Sequence, residues 1–567
     1  MADPAKPTSA SALAAATLPT WRTLRRELPA WLADNENPPS QWWLVQQAVH
    51  AAGREPSLPK PALGLALAAW QRRPYDMRFI LMLQGLDKGM QALPSGTHEM
   101  FDTLRRSLRP SSDFQDFESA LLGPDPSLAL DCALKRLDRE DQAVTWLSLG
   151  FEHCMKAGDN DGVTALLKRF RSCHAGPHLL SLADRLDAER EMYLGTPGRA
   201  EEFVRALDRD CWGWWRNAAL ARLERAKGDE ASAARRLARL WRATPWHLNI
   251  VLTLHDLLLP PGPGPMRIPK ADTAVCIYSW NKAGELARTL SALATTDLGE
   301  ALVVVLDNGS TDDTRDVLDA ASDRFAHGRF TTVRLPVNVG APAARNWLLS
   351  LPEVRQMRAV AFLDDDVEPP RHWLDTLLDA ASPSGTGSAG CLVTDARAPR
   401  AVQSAEVHLL PREMCTPSFS DLEERIFTST PTGARDLGLW AYRRACVSVT
   451  GCCHLLPRAS IESHGVFDVR FTPTQFDDLE RDLRCFRDGG HAVFDGRLSV
   501  PHRQGSSLRQ ALSAEAKALV MGNKIKLEHL FGNDDARSML HRQWDMFLAD
   551  LEARLAALGP ALDDKGL

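Results

Sequence analysis

Three consecutive carboxylates follow a short apolar run in the second half of this sequence. The segment FLDDDVEPP, which begins at residue 362, contains Asp364, Asp365 and Asp366. Neighbouring like charges repel by roughly 1 kcal/mol per pair at 4 Å in water and by about 4 kcal/mol at an effective dielectric constant near 20. A bound cation would offset this repulsion. The alternative is a cluster that only caps the helix predicted after Pro370, since helix N-termini favour negative charge.

Three more polar segments lie at the ends of apolar runs that are typical of β-strands. Ser279 and Asn281 lie in SWNKAG, Asp307 lies in LDNGSTDDT, and Arg345 lies in VNVGAPAARN. These runs alternate with helical segments, which predicts a mostly parallel sheet with helices on both faces. The carboxyl ends of such strands converge on one crevice, so the four segments are expected to lie together.

Two further candidates come later in the chain. Asp477, Asp478 and Glu480 begin a predicted amphipathic helix in QFDDLERDLRCF, and His502 follows the last predicted strand in SVPHRQG. Acids at a helix start are also the composition that the helix dipole favours, and a lone histidine is usually structural. The residues alone leave both interpretations open.

The four ordered motifs resemble those of the inverting family 2 glycosyltransferases of the GT-A fold. Members show a strand ending in Thr-aromatic-Asn, an Asp-x-Gly-Ser-Thr-Asp turn, an Asn-x-Gly…Ala-Arg-Asn segment and a strand ending in Asp-x-Asp. The resemblance covers roughly residues 273–505. It implies a Rossmann-like α/β GT-A domain that moves one sugar from a nucleotide-sugar donor to a hydroxyl acceptor, which would be a glycan, a lipid-linked glycan or a protein.

The resemblance also implies a role for each candidate residue. It makes Asp366 and His502 ligands of a divalent metal, Mn²⁺ or Mg²⁺, and it makes Asp478 the catalytic base. Asp477 and Glu480 are further candidates, the second in a place where the family often has Asp. The residues implied to bind the nucleotide sugar are Ser279, Asn281, Asp307, Arg345, Asp364 and Asp365. Alternation along an extended chain predicts that Asp365 points away from the metal.

The elements before this region are helical. Residues 21–259 show apolar positions at three- and four-residue spacing, and the turn glycines Gly158, Gly195 and Gly228 recur at a period close to 34 residues. This resembles tetratricopeptide repeats, which implies a surface for a protein partner; the alternative is a bundle that only packs on its neighbour. A disordered tail is predicted at 1–20, a Pro/Gly linker at 260–271, the GT-A domain at 272–506, and a helical extension at 507–567 that packs over the active-site domain.

Composition narrows the class of protein. The net charge of −6, from 67 basic and 73 acidic side chains, does not suggest nucleic-acid binding. Apolar runs fall short of the ~20 residues that a transmembrane helix needs, and eleven scattered cysteines are typical of reduced thiols, so a cytoplasmic enzyme is expected. The alternative function is a catalytically inactive helical-repeat scaffold whose second domain only resembles a nucleotide-sugar site.

Overall fold

The structure of the protein is a computed structural model. It describes residues 9–123, 125, 127–262, 267–381, 385–411, 426–503 and 514–567. Part of the predicted linker, residues 263–266, lies outside the described residues. On either side of this gap the chain has no regular secondary structure until a short 3₁₀ turn at Lys270–Asp272.

The first half of the described chain is all helical, as predicted. Its helices are α1 Ala10–Glu27, α2 Pro38–Ala52, α3 Pro59–Arg72, α4 Met77–Asp87, α5 Ser95–Ser107, α6 Phe114–Leu122, α7 Ser127–Leu134, α8 Ala143–Ala157, α9 Asn160–Cys173, α10 Pro177–Leu194, α11 Pro197–Ala206, α12 Arg209–Ala226, α13 Glu230–Ala243 and α14 Leu248–Leu258. From α6 to α14 each helix packs against the next one or two, as in stacked helical hairpins.

The predicted turn glycines lie at helix ends. Gly158 follows α8 and Gly228 follows α12, both with positive φ (72° and 79°), and Gly195 caps α10. At Gly158 and Gly228 the positive φ favours glycine, and the chain leaves the helix there. The prediction of a disordered tail at 1–20 is wrong for residues 10–20, which belong to α1. This helix is held by packing against the C-terminal helix, a partner that local sequence does not reveal.

The second half is an α/β domain with one large mixed sheet. Its strands are β1 Thr273–Ser279, β2 Leu302–Asp307, β3 Phe330–Arg334, β4 Ala359–Leu363, β5 Thr386–Asp395, β6 Val402–Ser404, β7 His408–Leu410, β8 Phe427–Ser429, β9 Arg443–Cys446, β10 Cys453–Pro457 and β11 His491–His502. Its helices are α15 Ala283–Leu293, α16 Thr314–Ala321, α17 Ala341–Ser350, α18 Pro352–Arg355, α19 Trp373–Ala380, α20 Arg458–His464 and α21 Asp477–Arg487. Separate apolar clusters cover the two faces of the sheet.

The strand order brings the predicted motifs to one edge. In the order β3-β2-β1-β4-β10-β5-β11-β9, the first four strands are parallel, β5 and β11 are parallel, and β10 and β9 are antiparallel to their neighbours. The register pairs Ser279 with Asp307 and places Asp364 one residue beyond the end of β4. The predicted fold class, an α/β GT-A domain after an all-α region, is confirmed.

Two helices, α22 Ala514–Leu530 and α23 Asn533–Asp564, follow the sheet. The expectation that this extension packs over the α/β domain holds for α22 and the first half of α23. They join an apolar cluster with α21, and Phe547 of α23 lies against the guanidinium of Arg444 on β9. The rest of α23 packs against α1 and α14, and its side chains complete the core of the helical half. Within the described residues, no helix is both long enough and apolar enough to cross a membrane.

One extended segment of the α/β domain, residues 431–440, lies against the helical half; we call it the docking segment. Tyr193 donates to the Asp436 carbonyl oxygen (2.8 Å), and Thr253 donates to that of Leu439 (3.1 Å). Arg435 makes ion pairs with Glu152 on α8 and Glu189 on α10. The helical half thus uses α8, α10 and α14 to hold part of its own chain.

Candidate active site

The centre of the candidate site lies just beyond β4. The ligand atoms of Asp364, Asp366 and His502 all lie within 4.8 Å of one another. Asp366 Oδ1 is 2.9 Å from His502 Nε2, and the backbone N–H of Asp364 donates to the Cys452 carbonyl oxygen (2.9 Å). Two carboxylates and an imidazole at this spacing fit a divalent cation such as Mn²⁺ or Mg²⁺, which prefer oxygen ligands.

His502 is fixed by groups on both sides. It lies at the end of β11, where a β-bridge pairs it with Val367 just after the carboxylates. Its Nδ1 is 2.7 Å from Gln403 Oε1, an acceptor, so Nδ1 carries a proton and Nε2 faces Asp366. Burial would lower the pKa of His502, but the hydrogen bond and charge of Asp366 raise it. Burial in turn would raise the pKa of Asp366, but His502 and Lys282 lower it to about 2.

Asp365 lies outside this triad, and the chain turns at residues 365–366 instead of continuing as an extended strand. It accepts a hydrogen bond from Ser279 Oγ (2.7 Å), and Lys282 Nζ lies 3.0 Å from both Asp365 and Asp366. Burial raises the pKa of Asp365 to about 6, even though Lys282 opposes the shift. Ser279 and Asp365 therefore connect the ends of β1 and β4. Lys282 was not among the predicted site residues, although it follows Asn281 directly.

Asn281 and Asp307 shape the turn after β2. Asp307 Oδ1 accepts from the Ser310 N–H (2.9 Å), and Asn281 Oδ1 accepts from the Thr311 N–H (2.7 Å). Asn281 has a φ of 52°, a conformation that asparagine adopts more readily than most residues. A Cβ on Gly309 would lie 2.4 Å from the Val337 carbonyl carbon, so this turn needs glycine. The turn holds Asp307, which is buried, at the end of its strand.

Arg345 connects the triad of Asp364, Asp366 and His502 to the helix α21. Its guanidinium lies 5.3 Å from the ring centroid of Tyr278 and 5.2 Å from that of Phe467. Its Nη1 is 2.5 Å from Asp477 Oδ2, and its Nη2 is 3.7 Å from Asp364 Oδ1. Burial would lower its pKa, but the surrounding acidic groups raise it. Arg345 is therefore a buried cation between two carboxylates rather than a solvated surface arginine.

Asp477, Asp478 and Glu480 point in different directions from the first turn of α21. Asp477 is paired with Arg345, and Asp478 Oδ2 accepts from the Gly451 N–H (2.7 Å). Glu480 instead pairs with Arg484 (2.6 Å), so the structure does not bring it into the carboxylate cluster. Asp478 remains partly exposed and accessible to a substrate, whereas Asp477 is buried.

The close approach between Asp478 and the loop before β10 needs Gly451, which sequence reasoning missed. A Cβ there would lie 2.9 Å from Asp478 Oδ2 and 3.0 Å from Arg345 Nη2. The loop is held by buried Asp482, which accepts from the hydroxyls of Ser388 and Ser448 at 2.8 Å. Burial raises the pKa of Asp482 to about 6. The local sequence signal was a glycine between polar Thr450 and the apolar strand.

The assembled cluster has an excess of negative charge. Its acidic members are Asp364, Asp365, Asp366, Asp477 and Asp478, and the cations that contact them are Lys282, Arg345 and, when protonated, His502. The triad with two carboxylates and one imidazole gives this excess a defined place where a divalent cation fits. Cys446, Cys452 and Cys453 are buried, as expected for small apolar side chains.

Comparisons with known proteins agree with the predicted family. Residues 274–425 match the family described as Glycosyl transferase family 2. The O-antigen biosynthesis protein RfbC of Myxococcus xanthus is 28% identical over 235 residues, which are 41% of this chain and 17% of that protein. The succinoglycan biosynthesis protein ExoU of Rhizobium meliloti (strain 1021) is 42% identical over 81 residues, 14% of this chain and 22% of that protein. The matched regions thus span about a fifth of each relative.

Similar solved structures include two glycosyltransferases. One is GalNAc-T7 with UDP, GalNAc and Mn²⁺, with a TM-score of 0.36 and 14% identity over 46% of this chain and 49% of that chain. The other is the mannosyltransferase PcManGT of Pyrobaculum calidifontis in complex with GDP-Man and Mn²⁺, with a TM-score of 0.35 and 18% identity over 62% of this chain and 87% of that chain.

Proposed function

We propose that this chain, which carries a family 2 glycosyl transferase domain at residues 274–425, transfers one sugar from a nucleotide-sugar donor to a hydroxyl acceptor with inversion at the anomeric carbon. The observation that carries the proposal is the arrangement around Arg345. This side chain contacts Asp364 of the metal triad on one side and Asp477, the neighbour of Asp478, on the other. Arg345 thus links the residues proposed to hold the metal with the helix that carries the proposed base.

At the metal end, Asp366, His502 and Asp364 would hold the divalent cation. When bound, the cation would neutralise charge on the departing nucleoside diphosphate. Gln403 keeps the Nδ1 proton of His502 in place, so Nε2 faces the site. Asp307 and Asn281 lie at the ends of neighbouring strands, where a nucleoside would sit in a sheet of this kind.

At the base end, Asp478 would accept the proton of the acceptor hydroxyl as its oxygen attacks the anomeric carbon. One carboxylate oxygen is held by the Gly451 N–H, and the partly exposed side chain remains open to a substrate. Attack from the face opposite the leaving diphosphate gives inversion in one step. A base on one side and a metal on the other therefore need no covalent intermediate.

The first experiment is a donor panel. UDP-, GDP- and TDP-sugars would be titrated into the full-length protein with Mn²⁺ or Mg²⁺ and again with chelator, followed by calorimetry and by slow donor hydrolysis. We expect binding of at least one donor that needs the metal. In Asp366→Ala, metal-dependent hydrolysis should fall by about a hundredfold or more, whereas Asp316→Ala, an exposed change on α16, should have no effect.

The same panel tests the alternative that the chain is an inactive scaffold. Absence of binding for every donor with either metal, in a folded sample, would favour the scaffold. The presence of the whole acidic set argues against it, because a decayed site should have lost at least one of Asp307, Asp364, Asp366 and Asp478.

A further inference from the structure

A cavity of about 470 Å³ on the helical half is lined by five arginines from three consecutive helices; we call it the arginine pocket. Arg205 comes from α11, Arg209 and Arg216 from α12, and Arg236 and Arg239 from α13. On α12, Arg209 and Arg216 are seven residues apart, so they lie on one face of the helix. A protein surface that only needs solubility has no reason to direct so many like charges into one cavity.

Arg216 is the strongest sign that the pocket binds a ligand. Its residue is only 8% exposed, its Nε has no hydrogen-bond partner, and its Nη2 donates to the Arg205 carbonyl oxygen (3.1 Å). Burial and the four neighbouring arginines all lower its pKa. An uncompensated buried charge is unfavourable unless an ion of opposite sign accompanies it.

The surrounding carboxylates do not balance these charges. Arg205 pairs with Glu201, which also contacts Lys227, and Arg236 pairs with Glu224. Among the described residues, no ion pair is seen for Arg209, Arg216 or Arg239. Asp208 is nearby in sequence, but its side chain caps α12 by accepting from the Cys211 N–H. Five guanidinium groups thus face two carboxylates.

Other buried arginines of the helical half contrast with Arg216. Arg185 pairs with Glu189, Arg190 pairs with Asp187, and Arg72 pairs with Glu36. Where this part of the molecule buries an arginine for structural reasons, it supplies a carboxylate. The arginine pocket lacks that compensation.

We infer that the arginine pocket binds a phosphate or diphosphate ester. A planar guanidinium donates two parallel hydrogen bonds to a phosphoryl group, and several together match the charge of a diphosphate better than that of a single carboxylate. The opposite side of α12 faces the α/β domain, where Arg225 contacts the Gly438 carbonyl oxygen. The pocket is therefore separate from the metal triad and does not depend on the proposed transferase function.

The test uses inorganic pyrophosphate and the full-length protein, with chelator present so that no cation can hold pyrophosphate in the α/β domain. Calorimetry should show binding that weakens at least tenfold in the double variant Arg209→Ala/Arg239→Ala, whose side chains are exposed and unpaired. The matched control is Arg235→Ala, an exposed arginine of α13 that does not line the cavity. It should change the affinity less than twofold.

A second variant tests the geometry. Arg216→Lys keeps the charge but removes the planar guanidinium that can donate two parallel hydrogen bonds, so it should also weaken pyrophosphate binding. The thermal unfolding temperature should stay close to that of the wild type. Absence of pyrophosphate binding to the wild type, together with no binding to phosphatidic acid vesicles, would overturn the proposal. Equal loss of binding in Arg235→Ala and in the double variant would also overturn it, because general surface charge would then explain the effect.

Vesicles distinguish the two sources of the ligand. Co-sedimentation with phosphatidylcholine vesicles that contain phosphatidic acid, lost in the double variant, would identify a lipid phosphate. Pyrophosphate binding without vesicle binding would identify a soluble phosphate or diphosphate ester. Either result supports the pocket as a site for phosphate esters.

Discussion

Two of the arginine–carboxylate clusters among the described residues differ in charge balance. In the interdomain cluster, Arg435 and Arg185 face Glu152 and Glu189, with Arg435 Nε 2.6 Å from Glu189 Oε1. In the active site, five carboxylates face Lys282, Arg345 and His502. In a balanced cluster, the positive and negative side chains neutralise one another when the chain folds. The active-site cluster is left with an excess of negative charge that a bound cation would offset.

The pKa values of the carboxylates are lowered in the first cluster and mostly raised in the second, where Asp366, lowered to about 2, is an exception. Burial would raise the pKa of Glu152, but Arg435 and Tyr75 lower it to about 2, and arginines likewise lower that of Glu189. In the active site, burial raises the pKa values of Asp364, Asp365 and Asp477 above their ordinary range. Folding therefore favours ionised carboxylates in the first cluster and opposes them at Asp364, Asp365 and Asp477 of the second. The first cluster stabilises the fold, whereas these three carboxylates lower its stability.

The largest effect is expected in the unbalanced cluster, at the proposed catalytic base Asp478. Asp478→Asn keeps an oxygen that can accept from the Gly451 N–H but removes the proton acceptor. We expect kcat to fall by about 10²- to 10⁴-fold, while the dissociation constant of the nucleotide sugar changes little. Steady-state kinetics and donor calorimetry on the same sample would measure both.

The matched control for the base is Glu480→Gln on the same helix turn. Because Glu480 is paired with Arg484 and not with the cluster, the variant should keep kcat within about threefold of the wild type. A loss in Glu480→Gln as large as in Asp478→Asn, or a parallel loss of donor binding in Asp478→Asn, would contradict the assignment of Asp478 as the base.

In the balanced cluster, the expected effect is on stability. Arg435→Ala removes the partner of Glu152 and one partner of buried Glu189, and it should lower the free energy of unfolding by about 3 kcal/mol. Urea denaturation would measure the change. The double variant Arg435→Ala/Glu152→Gln should recover part of the loss, because it also removes the carboxylate that Arg435→Ala leaves without its ion-pair partner, while Glu189 keeps Arg185. Simple addition of the two single losses would show that the cluster is not coupled.

For a neutral substitution at the proposed metal triad, the comparison predicts an increase in the free energy of unfolding, opposite to the decrease expected for Arg435→Ala. Asp364→Asn removes one of the repelling carboxylates, so the metal-free protein should gain about 1 kcal/mol in free energy of unfolding. The same variant should lose the stabilisation that Mn²⁺ gives to the wild type in a thermal unfolding assay. A destabilised metal-free variant would show that Asp364 is balanced by Arg345 after all.

The smallest expected effect is a loss of stability at low pH. The pKa of Glu152 is about 2 in the folded protein against 4.5 for the ordinary side chain, so its contribution is fully present above about pH 4.5 and is lost as the pH falls toward about 2. Glu152 is partly exposed, and after allowance for solvent screening we expect Glu152→Gln to lower stability by about 1 kcal/mol at neutral pH.

Urea midpoints measured from about pH 6 down to about pH 3 would test this dependence. The gap between the wild type and Glu152→Gln should narrow as the pH falls, because protonation removes the charge that the variant already lacks. A gap that stays constant with pH would assign the effect of the substitution to lost packing instead.

Much of the site was predictable because its motifs are local. Ser279, Asp307 and Asp366 each lie at or next to the end of an apolar strand, and parallel strands bring such ends together. The direction of Asp365 is set by a turn at residues 365–366, which strand alternation does not describe. The structure now supplies the partners of these residues, and the roles of the individual site residues stay predictions.

What the sequence did not reveal depends on contacts between distant residues. Gln403 and His502 are 99 residues apart, and no local pattern pairs them. Glu480 stands where the family often has Asp, and its orientation is set by Arg484 one turn later. In the fold, α1 was mistaken for part of a disordered tail, because its alanine-rich sequence has few large apolar residues and its partner lies in α23.

The pairing of α1 with α23 has a consequence for biosynthesis. Backbone N–H groups of Ala10 and Ser11 donate to Asp563, and Phe547 and Leu551 of α23 belong to the same apolar core as Trp21 of α1. A ribosome that adds about 5–20 residues per second needs roughly half a minute to two minutes to make the residues between the two helices. Throughout that interval α1 lacks its partner in α23, so among the described helices it is one of the last to be buried, and it is exposed to chaperones and proteases while the α/β domain is still being translated.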